Sequence, residues 1–81
     1  MMIVLRFFAI ARDRVGAGEL TLELSSGATV ADARDALIRG HASLAELMPR
    51  VAFAVNRAYA PLTTELHEGD ELAVIPPVSG G

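Results

Sequence analysis

The stretch EGDELAVIPPVSGG, residues 68–81, decides the fold expected for this 81-residue chain. Its first residues, Glu68-Gly69-Asp70, are typical of a tight turn, and Glu71 to Ile75 has the composition of a strand. Pro76-Pro77 ends that strand, because proline donates no backbone hydrogen bond and favours an extended chain. The stretch therefore predicts a last strand that passes directly into an extended tail, residues 76–81.

The tail ends on Gly80-Gly81, two residues without a Cβ that could clash with the walls of a narrow channel. A tail of this length reaches at most about 20 Å, at roughly 3.3 Å per residue. We interpret Gly81 as a reactive carboxylate. The segment that would thread it into a partner is Pro76, Pro77, Val78, Ser79 and Gly80. A frayed terminus is the alternative for the glycine pair taken alone.

Three further strands are predicted from the period-2 pattern of side chains, over residues 2–11, 19–24 and 51–55. The first of them is largely apolar on both faces, as expected of a central strand. Residues 15–18 and Asn56-Arg57 have the composition of turns. Residues 59–66 are expected to be irregular or to form a short edge strand, because Pro61 limits hydrogen bonding.

One main helix is predicted over residues 30–39, where apolar residues recur at helical spacing. Thr29 and Asp32 form a capping-box pattern at its start. Gly40 follows the helix, at the position where a left-handed C-cap residue is usual. The helix should pack its apolar stripe against the sheet.

A second capping pattern, Ser43 with Glu46, predicts a short helical turn over residues 44–48, which Pro49 ends. Two strands thus precede the helices and two or three follow. The compact solution is an α+β fold with one mixed sheet of four to five strands and the main helix on one face. This is the β-grasp arrangement of ubiquitin-like domains, with the first and last strands side by side and parallel. Residues 1–75 would form that domain.

Composition narrows the possible functions. With 52% hydrophobic residues and no Cys, so small a domain must depend on a dense apolar core rather than on disulfides. The absence of Cys fits the reducing cytoplasm, where we expect the protein. The net charge of −3 and the lack of a basic stripe argue against a nucleic-acid partner. No apolar run is long enough for a membrane span, and the first residues lack the basic region of a signal peptide.

Catalytic motifs are also missing from the chain. His41 and His67 are 26 positions apart, without the spacing of metal ligands. The sequence contains neither a Gly-rich phosphate loop nor a nucleophile elbow. We therefore expect no metal site and no bound cofactor. A carboxylate must be activated before it reacts, for instance by adenylation, so activation of Gly81 would require an ATP-using partner.

A partner needs a surface, and alternation places Phe8 and Ile75 on the sheet face opposite the helix. If the first and last strands are neighbours, these two side chains lie close together at the base of the tail. Tyr59 could extend the patch, and contiguous exposed apolar groups usually mark an interface. Coverage by another layer is the alternative. Arg12, beside Arg14, is either a solvated charge or a docking contact for an acidic surface.

The sequence resembles the small subunit of molybdopterin synthase, a family of ubiquitin-like sulfur carriers, along its whole length. The matching residues are Phe7-Phe8-Ala9, Arg12, Gly16, Val55-Asn56, Leu66, Glu68 to Ala73 and Pro76 to Gly81. The family's hydrophobic contact positions fall on Phe8, Tyr59 and Ile75, although an aliphatic residue would be expected where Tyr59 stands.

The resemblance implies that an E1-like enzyme adenylates Gly81 with ATP and Mg²⁺, and that the acyl-adenylate becomes a thiocarboxylate. It further implies docking on the large synthase subunit, in a heterotetramer. There the tail would supply sulfur for the dithiolene of molybdopterin, made from cyclic pyranopterin monophosphate. Three alternatives stay open: a sulfur carrier for thiamine, tRNA thiolation or cysteine synthesis, a ubiquitin-like protein modifier, and an interaction domain with an inert tail.

Overall fold

The computed structural model describes residues 1–77. Its elements are β1 (Met2–Phe7), α1 (Ala9–Val15), β2 (Glu19–Glu23), α2 (Val30–Gly40), two 3₁₀ helices (Ala42–Leu44 and Met48–Arg50), β3 (Ala52–Val55), β4 (Ala58–Tyr59) and β5 (Glu71–Ile75). The strands form one mixed sheet in the order β2-β1-β5-β3-β4. In its middle β1 and β5 run parallel, which confirms the predicted β-grasp fold.

The core lies on one face of this sheet. Alternate residues of β1, namely Ile3, Leu5 and Phe7, are buried there, and Leu72 and Val74 of β5 join them. The buried residues of the described helices belong to the same cluster; they are Ala11, Val30, Ala33, Leu37, Leu44 and Met48. The helices therefore pack on one face, and the opposite face, called the outer face below, carries Met2, Val4 and Arg6 of β1. None of the helices within residues 1–77 has the length and apolarity to cross a membrane.

The start of α2 follows the capping prediction, whereas its end does not. The Thr29 N–H donates to Asp32 Oδ2 over 2.9 Å, and Thr29 Oγ1 accepts from the Asp32 N–H over 3.4 Å. The prediction for Gly40 is wrong, because Gly40 is the last helical residue and His41 occupies the C-cap. The His41 N–H still bonds to the Leu37 carbonyl, and the chain continues into a 3₁₀ helix. Because the chain continues in helical form, Gly40 does not need the left-handed conformation that was expected for it.

The predicted strand over residues 2–11 is too long. It ends at Phe7, and the chain forms the helix α1 before reaching β2. Ala9 opens this helix with a φ of 50°, and Gly16 ends it with a φ of 82°, donating its N–H to Arg12 O. Ala11 is fully buried. Burial of this small residue against the core overrides the strand-like alternation around it.

The second predicted capping box is also wrong. The first 3₁₀ helix begins after His41 without a side-chain cap. Ser43 and Glu46 instead bind Arg14 of α1, whose Nη1 donates to the Ser43 carbonyl over 2.9 Å and to Glu46 Oε1 over 2.6 Å. Pro49 lies inside the second 3₁₀ helix rather than ending the turn. Glu46 therefore forms a long-range ion pair with Arg14 instead of a local cap. This pair connects α1 to the segment between the two 3₁₀ helices.

The turn between β3 and β4 is fastened to the start of β5. Asn56 and Arg57 have φ values of 50° and 71°, as in a two-residue hairpin turn. Asn56 Nδ2 donates to Asp70 Oδ1 over 2.9 Å, and Asn56 Oδ1 accepts from the Glu71 N–H over 3.0 Å. Asp70 Oδ2 also accepts from the His67 N–H. The hydrogen bond from Asn56 is the main reason that the pKa of Asp70 lies below its usual value.

This lowered pKa predicts a specific acid sensitivity. Asp70 has a lower pKa in the folded chain than in the unfolded chain, so its contribution to stability is full above the unfolded pKa of about 3.9. The contribution is lost as the pH falls through the folded pKa. In urea unfolding between about pH 6 and about pH 3, wild type should therefore lose more stability than Asp70→Asn. Parallel pH profiles of the two proteins would contradict the role given to this carboxylate.

Candidate functional site

The register of the strands sets one row of side chains across the outer face. Arg6 lies opposite Glu19 on one side and Ala73 on the other. The row continues through Ala54 to Tyr59. Two alanines therefore form the middle of the row, on the central strands β5 and β3, and larger side chains stand on both sides. Small residues flanked by large ones make a shallow groove.

This groove has a volume of about 360 Å³ and brings three of the predicted contact residues together. Its lining consists of Arg6, Phe8, Ala54, Arg57, Tyr59, Glu71, Ala73 and Ile75. Phe8, Tyr59 and Ile75, with the two alanines beneath them, are called the outer-face patch below. That these side chains contact a partner stays a prediction.

Exposure of the outer-face patch is unusual for aromatic side chains. Phe8 is 45% exposed and Tyr59 is 78% exposed, whereas Phe7, the neighbour of Phe8 in the chain, is 3% exposed. Within residues 1–77 the helices all pack on the other face, so no described layer covers these rings. Grouped exposed apolar side chains of this kind are typical of protein interfaces.

A larger depression, of about 490 Å³, lies between α2 and the β3–β4 edge. It shares only Tyr59 with the outer-face groove, and Phe8, Ile75 and Arg12 do not line it. The larger depression contains one of the predicted contact residues, whereas the outer-face groove contains three. The outer-face groove is therefore the better candidate for a partner-binding site.

Arg6 is neutralised within the fold and Arg12 is not. Arg6 Nη1 lies 3.5 Å from Glu71 Oε2 and 3.8 Å from Glu19 Oε1. Arg12 lies beside the groove, in an adjoining depression that it shares with Phe8 and Arg6. It forms no ion pair with any residue of the described range. Arg12 therefore flanks the outer-face patch on the side of β2 rather than lining it.

Arg57 lines the groove, and sequence reasoning missed it because it was interpreted only as a turn residue. The alternation of side chains along a strand could not indicate the side on which Arg57 lies, because its φ of 71° places it in the turn before β4.

The chain leaves the sheet beside the outer-face patch. Phe7 pairs with Val74, so the next residues, Phe8 and Ile75, are adjacent at the same end of the sheet. Pro76 is buried and Pro77 is exposed. Val78, Ser79, Gly80 and Gly81 lie outside the described residues, so their predicted roles, like the threading role of both prolines, stay predictions.

The remaining titratable side chains of the described domain do not form a metal-binding cluster. No three His, Asp or Glu side chains within residues 1–77 are placed to hold a metal ion together. His67 is 73% exposed at its side chain and lies 3.8 Å from both Glu65 and Asp70. His41 caps two helix ends. The feature that the described residues do show is an exposed apolar groove next to the point where the C-terminal segment leaves the sheet.

Residues 5–81 match the family model described as the ThiS family. The chain belongs to this family. It is 41% identical over 83 aligned residues to a molybdopterin synthase sulfur carrier subunit of Chlamydomonas reinhardtii, and the match covers 100% of both chains.

Solved structures support the same placement within the ThiS family. SAMP1 from Haloferax volcanii, a small archaeal modifier protein, superposes with a TM-score of 0.90 at 30% identity and 100% coverage of both chains. A chain in the complex of subunits 1 and 2 of molybdopterin-converting factor from Helicobacter pylori superposes with a TM-score of 0.72 at 27% identity, also over 100% of both chains. The solved structure of this neighbour is thus a complex with a partner subunit.

Proposed function

We propose that this chain is the sulfur carrier subunit of a molybdopterin synthase in the cytoplasm. The observation that carries the proposal is the position of the outer-face patch, directly beside the point where the C-terminal segment leaves the sheet. A protein that docks through this patch receives the tail at the edge of the contact. The full-length similarity to a molybdopterin synthase sulfur carrier subunit supports the same function.

The first step concerns the carboxylate of Gly81, a poor electrophile that must be activated. An E1-like enzyme supplies the nucleotide site that this chain's sequence lacks. The carboxylate attacks the α-phosphate of Mg²⁺-bound ATP and displaces pyrophosphate, giving an acyl-adenylate. A sulfur nucleophile from a donor then attacks the carbonyl carbon and AMP leaves. Gly81 thereby becomes a thiocarboxylate, which stores sulfur without a cysteine.

The second step takes place on the large synthase subunit. The carrier docks through the outer-face patch, and Pro76 to Gly80 guide the thiocarboxylate into the pocket of that subunit. A tail kept extended by Pro76-Pro77, as the sequence predicts, would lose less conformational entropy on insertion than a random one. The thiocarboxylate sulfur attacks cyclic pyranopterin monophosphate, and water then hydrolyses the resulting thioester, which leaves the sulfur on the pterin and restores the Gly81 carboxylate. Each carrier delivers one sulfur atom, so the dithiolene requires two charged carriers. Two large subunits with one carrier at each end would form the heterotetramer.

The alternatives differ from this proposal in the acceptor, because all of them share the activated terminus. A carrier for another pathway would deliver sulfur to a different substrate, and a modifier such as the archaeal relative would join Gly81 to an amine. The experiment must therefore identify the molecule that receives sulfur or the Gly81 acyl group, and must also measure the chemical state of Gly81.

The position of the terminal carboxylate should decide activity. Deleting Gly81, or adding one alanine after it, moves the carboxylate by about 3.3 Å along the tail. Both changes should abolish formation of molybdopterin from cyclic pyranopterin monophosphate in a mixture with the activating enzyme and the large subunit. Both should leave the urea unfolding curve unchanged, because the altered residue lies outside residues 1–75, the predicted domain.

Gly40→Ala is the matched glycine control, because a Cβ at this exposed helical position meets no atom within 4 Å. It should support full molybdopterin formation. Normal formation by the Gly81 deletion would contradict the proposal. So would a wild-type chain that yields isopeptide conjugates but no molybdopterin.

The outer-face patch should determine the affinity for the large subunit. Phe8→Ala removes an exposed ring at the base of the tail, and interface aromatics commonly contribute about 1–3 kcal/mol, or roughly 5- to 150-fold in Kd. Titration calorimetry with the large subunit should show a loss in this range. The unfolding midpoint should change little, since the ring is not part of the core.

Met2→Ala is the control for this variant. Met2 lies at the start of β1 on the outer face and is 41% exposed, close to the value for Phe8, which follows the end of the same strand. It stands six residues away, about 20 Å along the strand. Met2→Ala should bind like wild type; equal losses in the two variants would mean that the contact is not centred on the outer-face patch.

A further inference from the structure

The side chains around the outer-face patch carry a net positive charge on an acidic protein. Five charged side chains line the groove or the depression beside Phe8, and they are Arg6, Arg12, Arg57, Glu19 and Glu71. Three positive and two negative charges give +1, whereas the whole chain carries −3. Both carboxylates already face Arg6. Among residues 1–77, Arg12 and Arg57 are the two cations of this surface that pair with no carboxylate.

Arg57 occupies a backbone position that does not favour arginine. It is the second central residue of the β3–β4 turn, with a φ of 71°, and Asn56 before it has a φ of 50°. Turns with positive φ at both central residues favour Asn-Gly, because glycine adopts this conformation without strain. Within residues 1–77 the guanidinium of Arg57 forms no ion pair and no hydrogen bond, so the fold itself does not account for the side chain. Strained residues retained at a surface are often functional.

The strand order places the two free cations on opposite sides of the patch. Arg12 and Phe8 lie toward the β2 edge of the sheet, whereas Arg57 and Tyr59 lie at the β4 edge. The apolar groups thus lie between two positive charges. A partner that covers the patch would meet an apolar centre with a cation on either flank.

We infer that Arg57 is a docking residue that pairs with a carboxylate on the large synthase subunit at the Tyr59 end of the contact. The inference rests on the proposed function, and it adds the chemistry of the partner surface. That surface has an apolar centre with acidic groups on both flanks, one facing Arg57 and one facing Arg12. Charges at the rim of an interface act mainly on the association rate and lose their effect as salt screens them.

Charge reversal tests the inference through binding kinetics. Arg57→Glu should slow association with the purified large subunit about tenfold at low salt, with a smaller effect near physiological ionic strength. Arg57→Gln should give a smaller loss, and Arg57→Lys should retain most of the rate. Arg39→Gln is the control for charge, because Arg39 is an exposed arginine of α2, on the other side of the sheet.

Arg57→Gly separates docking from folding. It removes the charge and relieves the positive φ, so it should unfold at an equal or higher urea concentration than wild type while associating as slowly as Arg57→Gln. A less stable glycine variant would assign Arg57 to the fold and overturn the inference.

Failure of the inference and failure of the proposed function give different results. If wild type binds the large subunit and the Arg57 variants associate as fast as Arg39→Gln, the docking role of Arg57 is overturned and the proposed function stands. If wild type does not bind that subunit at all, both are overturned.

Discussion

Parallel pairing of β1 with β5 is the constraint on which the rest of the structure depends. The pairs run from Val4 with Glu71 to Phe7 with Val74, so both strands end at the same end of the sheet. Parallel neighbours require a crossover, and all the helices of the described chain lie between the two strands and pack on one face. The pairing thereby leaves the outer face open and sets Phe8 beside the exit of the C-terminal segment.

The two ends of the β1–β5 pair have different roles, one in stability and one in the proposed binding of partners. At the start of β5, hydrogen bonds join Asn56, Asp70 and Glu71, and the Gly69 N–H bonds to the Met2 carbonyl. Asn56, Gly69, Asp70 and Glu71 are among the residues that carry the family resemblance. In the structure their hydrogen bonds join the β3–β4 turn and β1 to the start of β5. At the other end, the outer-face patch and the exit point serve partners. A sheet held at one end can present the other as a rigid docking surface.

Much of this could be predicted from the sequence, because alternation and local caps are encoded by neighbouring residues. The capping box of α2 and the exposure of Phe8 follow from such patterns, and the parallel central pair follows from the order of the strands and helices along the chain. The helix α1 could not be predicted, since burial of Ala11 depends on residues far along the chain. For the same reason Glu46 was assigned to a cap, whereas it binds Arg14, 32 residues away. The position of Arg57 could not be predicted either, because Arg57 lines the groove only when β4 folds beside the outer-face patch.

Conversion of the Gly81 carboxylate into a thiocarboxylate is the central claim, and intact mass tests it most directly. The chain would be incubated with an E1-like activating enzyme, ATP, Mg²⁺ and a sulfide source, using an enzyme that is active on its own carrier. The account predicts an ATP-dependent gain equal to the replacement of one oxygen by one sulfur, absent when Gly81 is deleted. An unchanged mass, while the same enzyme modifies its own carrier in a parallel reaction, would contradict the account.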